Sequence, residues 1–268
     1  MSRRPIGIFD SGIGGLTVFK EIAKILPNED LVYLGDTARV PYGTKSAATV
    51  TRYAVQNVRF LLRENVKLVI VACNTASAFA LEALRREFDL PLLGVIEPGV
   101  TGALRSVASK NPKRIVVIGT EGTIASEAYG RALRQRDDSV DAKGVACPLF
   151  VPLVEEGWWD TEVTEKVART YLDETLKTGL EAMILGCTHY PLLKGTLSRI
   201  AGPRVALVDS AEETARETAV LLEKEGLKNS SYAAPSHKFY VTDSPERFQR
   251  VGSMILERTL SNAHHVEI

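Results

Sequence analysis

The chain has 268 residues, enough to bury a substantial core as one large α/β domain or as two smaller ones. Its 33 Lys and Arg balance 33 Asp and Glu, so no overall surplus draws it toward nucleic acid or an anionic membrane, although a charged small molecule needs only local charge. Three widely spaced cysteines argue against a disulfide framework, no segment reaches the ~20 apolar residues of a membrane span, and the N-terminus does not read as a signal peptide, so a cytoplasmic location is expected.

Short β-branched apolar runs, each followed by a turn and an amphipathic stretch, recur along the chain. They are Ile6 to Phe9, Leu31 to Leu34, Leu68 to Val71, Leu92 to Ile96, Ile115 to Ile118, Ala182 to Leu185 and Val205 to Val208. Continuous apolar runs of this length fit strands buried on both faces, and their alternation with helices predicts parallel βαβ units. Beyond them come a helical pattern (Glu212 to Glu225), a polar break (Lys228 to Ser236), one more strand (Lys238 to Thr242) and a last helix near Pro245 to Leu260.

The runs contain an internal duplication. LVIVACNTASA (68–78) matches AMILGCTHYPL (182–192), each being strand, small residue, Cys, polar pair and helix. In nearly the same register Ile6 to Ser11 answers Ile115 to Thr120, and Leu93 to Glu97 answers Ala206 to Ser210. The expected fold is α/β: two similar doubly wound domains with parallel-rich sheets, related by a pseudo-twofold, with the active site between them. Because the repeat is exhausted near residue 208, residues 209–268 are expected to return to the first domain (1–97), leaving 98–208 as the second. Ligands of such sheets bind outside the carboxyl ends of the strands, where both repeated cysteines sit.

No CxxC pair, HExxH run, GxxxxGK[ST] loop or GxSxG elbow occurs, which removes the commonest zinc, phosphate-loop and serine-hydrolase readings, and no metal site is expected. In Cys73-Asn74-Thr75 and Cys187-Thr188-His189 the thiol ends a strand and opens a helix, whose amides stabilise thiolate; lowering a thiol pKa to about 7 needs only ~2 kcal/mol. Either turn alone is equally well a buried cysteine beside a helix cap. A repeated unit that keeps a thiol at the same strand edge in both copies points instead to a two-thiol mechanism. Cys147 lies at no such turn and reads as structural.

The glycine turn Asp10-Ser11-Gly12-Ile13-Gly14-Gly15 lets backbone approach a ligand. A dinucleotide site competes, but the third small residue is missing and Asp10 would meet the pyrophosphate. Asp36 and Pro41-Tyr42-Gly43 end the second strand unit on the same edge, where Asp36 is alternatively a plain cap and Tyr42 a core ring with a satisfied hydroxyl. Glu155 and Glu156 read first as a solvated charge pair, with a helper role for either left open. His189 is the one histidine placed for chemistry, whereas His237, His264 and His265 read as surface residues.

FDSGIGGLTV, LGDTARVPYG, ACNTASA, GVIEPG, IGTEGTI and GCTHYPLL resemble, in order from about Ile6 to Ser210, the motifs of bacterial glutamate racemases. The resemblance implies cofactor-independent racemisation in which Cys73 deprotonates D-glutamate and Cys187 L-glutamate, each thiol being the acid when the other is the base. Asp10 would assist Cys73 and His189 would assist Cys187, with Asp36 and Glu155 as further catalytic candidates. Asn74, Thr75 and Thr188 would hold the α-carboxylate; Ser11, Tyr42 and Gly43 would hold the side-chain carboxylate, with Thr120 and Thr123 as additional contacts. It also implies no cofactor, a homodimer, and a supply of D-glutamate for peptidoglycan. Some homologues are reported to bind DNA gyrase or to need a peptidoglycan precursor as activator, and the balanced charge supports neither and excludes neither. Rival readings are an aspartate or hydantoin racemase, a one-cysteine decarboxylase on the same fold, and a non-catalytic two-lobed binding module.

Overall fold

The computed structural model describes residues 3–107, 112–230 and 233–268. The first half alternates β1 (Ile6–Asp10), α1 (Leu16–Ile25), β2 (Leu31–Gly35), α2 (Ala47–Arg63), β3 (Leu68–Val71), α3 (Asn74–Glu87), β4 (Leu92–Gly94) and α4 (Ile96–Ser106). There follow β5 (Lys113–Gly119), α5 (Glu121–Ala125), α6 (Ala128–Arg136), β6 (Val140–Ala146), α7 (Phe150–Glu155), α8 (Glu162–Leu176), β7 (Ala182–Gly186), α9 (Lys194–Ala201) and β8 (Ala206–Asp209). The chain closes with α10 (Ser210–Lys224), β9 (His237–Val241), α11 (Pro245–Leu256) and β10 (Ala263–His265).

The strands form two sheets with parallel pairing throughout, a six-stranded one in the order β10-β9-β2-β1-β3-β4 and a four-stranded one in the order β6-β5-β7-β8. The inner order of the first, β2-β1-β3-β4, recurs in the second, with β6, β5, β7 and β8 in the corresponding places. Side chains alternate across each strand, so Ile6, Ile8, Tyr33 and Ile70 join α1, α10 and α11 on one face of the larger sheet while Phe9, Leu34, Val69 and Val71 join α2 and α3 on the other. In the smaller sheet Ile115, Val117 and Ile184 face α4 and α6, and Val116, Ile118 and Leu185 face α7, α8 and α9. Both sheets are covered on both faces, as the continuous apolar runs require.

The covering helices are exchanged between the sheets. α4 follows β4 of the larger sheet yet buries Ile96, Val100 and Ala103 against the smaller, and α10 follows β8 of the smaller yet buries Ala211, Ala215 and Leu222 in the core of the larger. The boundary read at residue 97 therefore falls inside the first turn of α4. β9 pairs with β2, and β10 with β9.

Two strands were not foreseen. β6 (VDAKGVA) interleaves polar residues because it is an edge strand, and β10 is a three-residue edge. His237 is also not a surface residue: it is half-buried in β9, its ring edge-on to Phe19 at 5.2 Å. Beneath the larger sheet Lys67 and Glu29 form a buried ion pair (2.6 Å), tied to the segment after α10 through Leu227 O and the Asn229 amide, both 2.7 Å.

Candidate active site

Parallel register brings four strand ends to one place. Asp10 ends β1 beside Gly35, Cys73 follows the adjacent β3, Thr120 follows β5, and Cys187 follows the adjacent β7. Hydrogen bonds then join the edges of the two sheets. Thr75 Oγ1 lies 2.9 Å from Thr120 Oγ1 and 3.1 Å from Thr123 Oγ1, and the Tyr129 hydroxyl on α6 donates to Asn74 Oδ1 at 2.7 Å. On the other side Thr17 Oγ1 donates to Thr188 O (2.8 Å) and Thr188 Oγ1 to Asp10 Oδ1 (3.4 Å). Gly14 is required here, since a Cβ would collide with Thr188 and with His189 Nδ1.

Cys73 caps α3: its sulfur accepts the Ala76 amide at 3.5 Å, and its thiol donates to Ser11 Oγ at 3.6 Å. The Cys187 turn differs. Pro191 lacks the amide that would continue an α-helix, so Tyr190–Leu193 form a 3-10 turn before α9 begins, and Cys187 does not open an α-helix directly. His189 instead lies over the thiol, Nδ1 3.8 Å from Sγ, while its Nε2 meets Glu155 Oε1 at 3.1 Å. Asp10 sits between the turns, Oδ2 accepting the Gly12 amide at 2.9 Å.

Burial dominates the proton affinities. It pushes the Cys73 thiol up to about 12, the Asp10 charge and that of Cys187 adding to it against the Ala76 amide and Ser11. The lowering expected from a helix N-terminus is overcome, because one sulfur–amide contact does not replace lost solvation beside a carboxylate. Burial also raises Asp10, with His189 and the Gly12, Gly15 and Ser11 amides opposing it. For His189 burial pulls downward, but the hydrogen bonds and charges of Cys187 and Glu155 outweigh it and hold it at about 10. Burial raises Glu155, and His189 and Arg247 more than reverse this, leaving it below its ordinary value.

Most sequence-derived candidates therefore meet: Asp10, Ser11, Cys73, Asn74, Thr75, Thr120, Thr123, Glu155, Cys187, Thr188 and His189. Glu155 is no solvated charge, whereas Glu156 is exposed. Asp36 and Tyr42 do not bring their polar groups to the thiols. The Asp36 carboxylate accepts from Arg39 Nε, the Tyr42 hydroxyl and Thr242 Oγ1, and Asn57 donates to the same hydroxyl, so Tyr42 is a core ring and Asp36 organises its loop. Gly43 remains at the edge, where a Cβ would strike Thr120 at 2.6 Å. Cys147 does follow a strand, contrary to expectation, but its thiol turns back to Val145 O (3.6 Å), and burial and the Cys187 charge push it up to about 12. Tyr129, Thr17 and Arg247 were missed; Tyr129 and Arg247 come from helices with no local motif, and Thr17 stands within FDSGIGGLTV without being singled out. Among the described residues no group of three or more His, Cys, Asp or Glu could hold a metal ion, and no helix is long and apolar enough to cross a membrane.

Two parallel α/β units abutting at their carboxyl edges, with a buried cysteine from each, are what an isomerase of the two-lobed racemase fold presents. The chain belongs to the Asp/Glu/Hydantoin racemase family, whose model matches residues 6–218. It is 51% identical to the glutamate racemase of Geobacter metallireducens over 268 residues, 100% of this chain and 98% of the relative. Among solved structures it resembles the glutamate racemase of Francisella tularensis in complex with D-glutamate (39% identity, TM-score 0.91, covering 100% of this chain and 98% of the other). It also resembles that of Thermus thermophilus in complex with β-chloro-D-alanine (46% identity, TM-score 0.88, covering 99% and 98%).

Proposed function

We propose that this protein interconverts L- and D-glutamate without a cofactor, Cys73 and Cys187 serving as the two bases. The observation that carries the reading is a buried thiol at the equivalent strand end of each sheet, each with its own polar partners, where hydrogen bonds between the two sheets hold those ends together.

With L-glutamate, Cys187 as thiolate beside protonated His189 takes the α-proton, breaking C–H and forming S–H. The electron pair left on carbon is drawn toward the α-carboxylate, for which Thr75, Thr188 and the Asn74 amide are placed. Asn74 Nδ2 is buried with no hydrogen-bond partner among the described residues, a donor available to a ligand. Cys73, held as a thiol by its surroundings, returns a proton to the opposite face and becomes thiolate. Ser11, Gly43 and the Tyr42 backbone, with Thr120 and Thr123, serve the side-chain carboxylate; Asp10 assists at Cys73. Resemblance to bacterial glutamate racemases supports a cytoplasmic homodimer that supplies D-glutamate for peptidoglycan.

Circular dichroism of L-glutamate with purified protein and no added cofactor tests the activity, and the signal should decay to zero. In deuterium oxide the earliest D-glutamate should carry α-deuterium while recovered L-glutamate stays mostly unlabelled, because the thiol that delivers the proton is not the one that took it. Glutamate binding without α-exchange would indicate a binding module, and faster exchange of aspartate an aspartate racemase.

A further inference from the structure

Arg247 stands in the first turn of α11, which packs on the larger sheet, and reaches across to Glu155 at the end of α7, which packs on the smaller. Its Nη2 lies 2.8 Å from Glu155 Oε2; Glu155 Oε1 lies 3.1 Å from His189 Nε2; and His189 Nδ1 lies 3.8 Å from Cys187 Sγ. A continuous chain of polar contacts thus runs from a half-exposed guanidinium to a buried thiol. Beside it lies a cavity of about 70 Å³, lined by Glu155 and Arg247 together with Ile13, Val40, Asp243 and Phe248 among others.

We propose that Arg247 is a positioning residue that tethers Glu155 across the two sheets, so that Glu155 holds the second proton of His189 next to Cys187. The inference rests on the two-thiol reading for its catalytic consequence but not for its geometry. Because the tether joins elements of different sheets, the chain from Arg247 to Cys187 is complete only when the two edges are together.

The sign of the effect separates positioning from simple charge. Removing a cation while Glu155 stays in place would leave a stronger anion beside His189 and raise its proton affinity. If Arg247 positions Glu155, its loss lets the carboxylate turn away and His189 falls toward its ordinary value. The other titratable groups facing this chain are Cys187 and Asp10 toward His189 and Asp243 across the cavity, and none of them is replaced in the variant.

The test is an NMR titration of the His189 ring in the unliganded full chain, which does not require activity. Wild type should titrate above the ordinary histidine range. Arg247→Ala should bring the midpoint down by about one unit or more, a tenfold change in proton affinity. Glu155→Gln should lower it in the same direction, and the double variant should go no lower than the lower of the two singles, since the two residues act in one chain. The upper limb of the kcat/KM profile should move down with the midpoint. An unchanged or raised midpoint in Arg247→Ala, additive losses in the double variant, or an equal shift from the exposed neighbour Arg250→Ala would each overturn the proposal. Failure of the two-thiol reading would register separately, as racemisation that survives Cys187→Ser.

Discussion

Cys73 and Cys187 occupy equivalent strand ends in unequal surroundings. Burial and Asp10 keep a proton on Cys73, whereas Cys187 faces an imidazole whose proton is held by Cys187 itself and by Glu155. Cys73→Ser and Cys187→Ser should each lower kcat by about a hundredfold or more while glutamate still binds, because a hydroxyl keeps the shape but is a far poorer base. Cys147→Ser should retain turnover, its hydroxyl taking over the bond to Val145 O. Rate assays paired with calorimetric binding decide this, and near-normal turnover by either of the first two variants would remove the mechanism. The thiols, Asp10 and His189 were legible because each sits in a short strand-to-helix motif. For Asp36 and Tyr42 the sequence left a cap and a core ring open as alternatives, because six residues of separation hid the direct side-chain bond between them. Tyr129 and Arg247 reach the site from more than fifty positions away in the sequence, and only the folded chain brings them to Asn74 and Glu155.

At the level of elements, the strands that could be read were those buried on both faces, where every residue must be apolar. β6 and β10 lie on edges, where one side meets water and that constraint lapses. The Lys67–Glu29 pair escaped notice for the opposite reason, since nothing local marks an ion pair as buried. It carries a testable cost: Glu29→Ala would take the carboxylate away from an enclosed ammonium and from the Asn229 amide. A loss of about 3–5 kcal/mol is expected, read from urea unfolding. Lys177→Ala, which breaks only an exposed pair with Glu174, should leave the curve in place. A Glu29→Ala midpoint equal to wild type would show that the pair does not anchor the segment after α10.

For the whole molecule, the division into 1–97 with 209–268, and 98–208, is a proposal with a direct test. A fragment ending at residue 208 would lack α10, β9, α11 and β10, stripping Ala215, Phe239 and Phe248 from the core that holds Phe19 and Tyr33. It should aggregate or melt without a cooperative transition, measured by calorimetry and dye binding; a soluble, cooperatively folding 1–208 fragment would contradict the division. The exchange of α4 and α10 between the sheets goes further. A half-length chain made of one four-stranded unit and its trailing helix would leave one face of its own sheet only partly covered, and the trailing helix of a second copy would complete it. Such a chain would be an obligate swapped dimer, identical on both sides, and could present only one kind of partner to both thiols. Joining the copies in one polypeptide makes the swap permanent and frees the halves to diverge, so that one thiol lies beside a carboxylate and the other beside an imidazole.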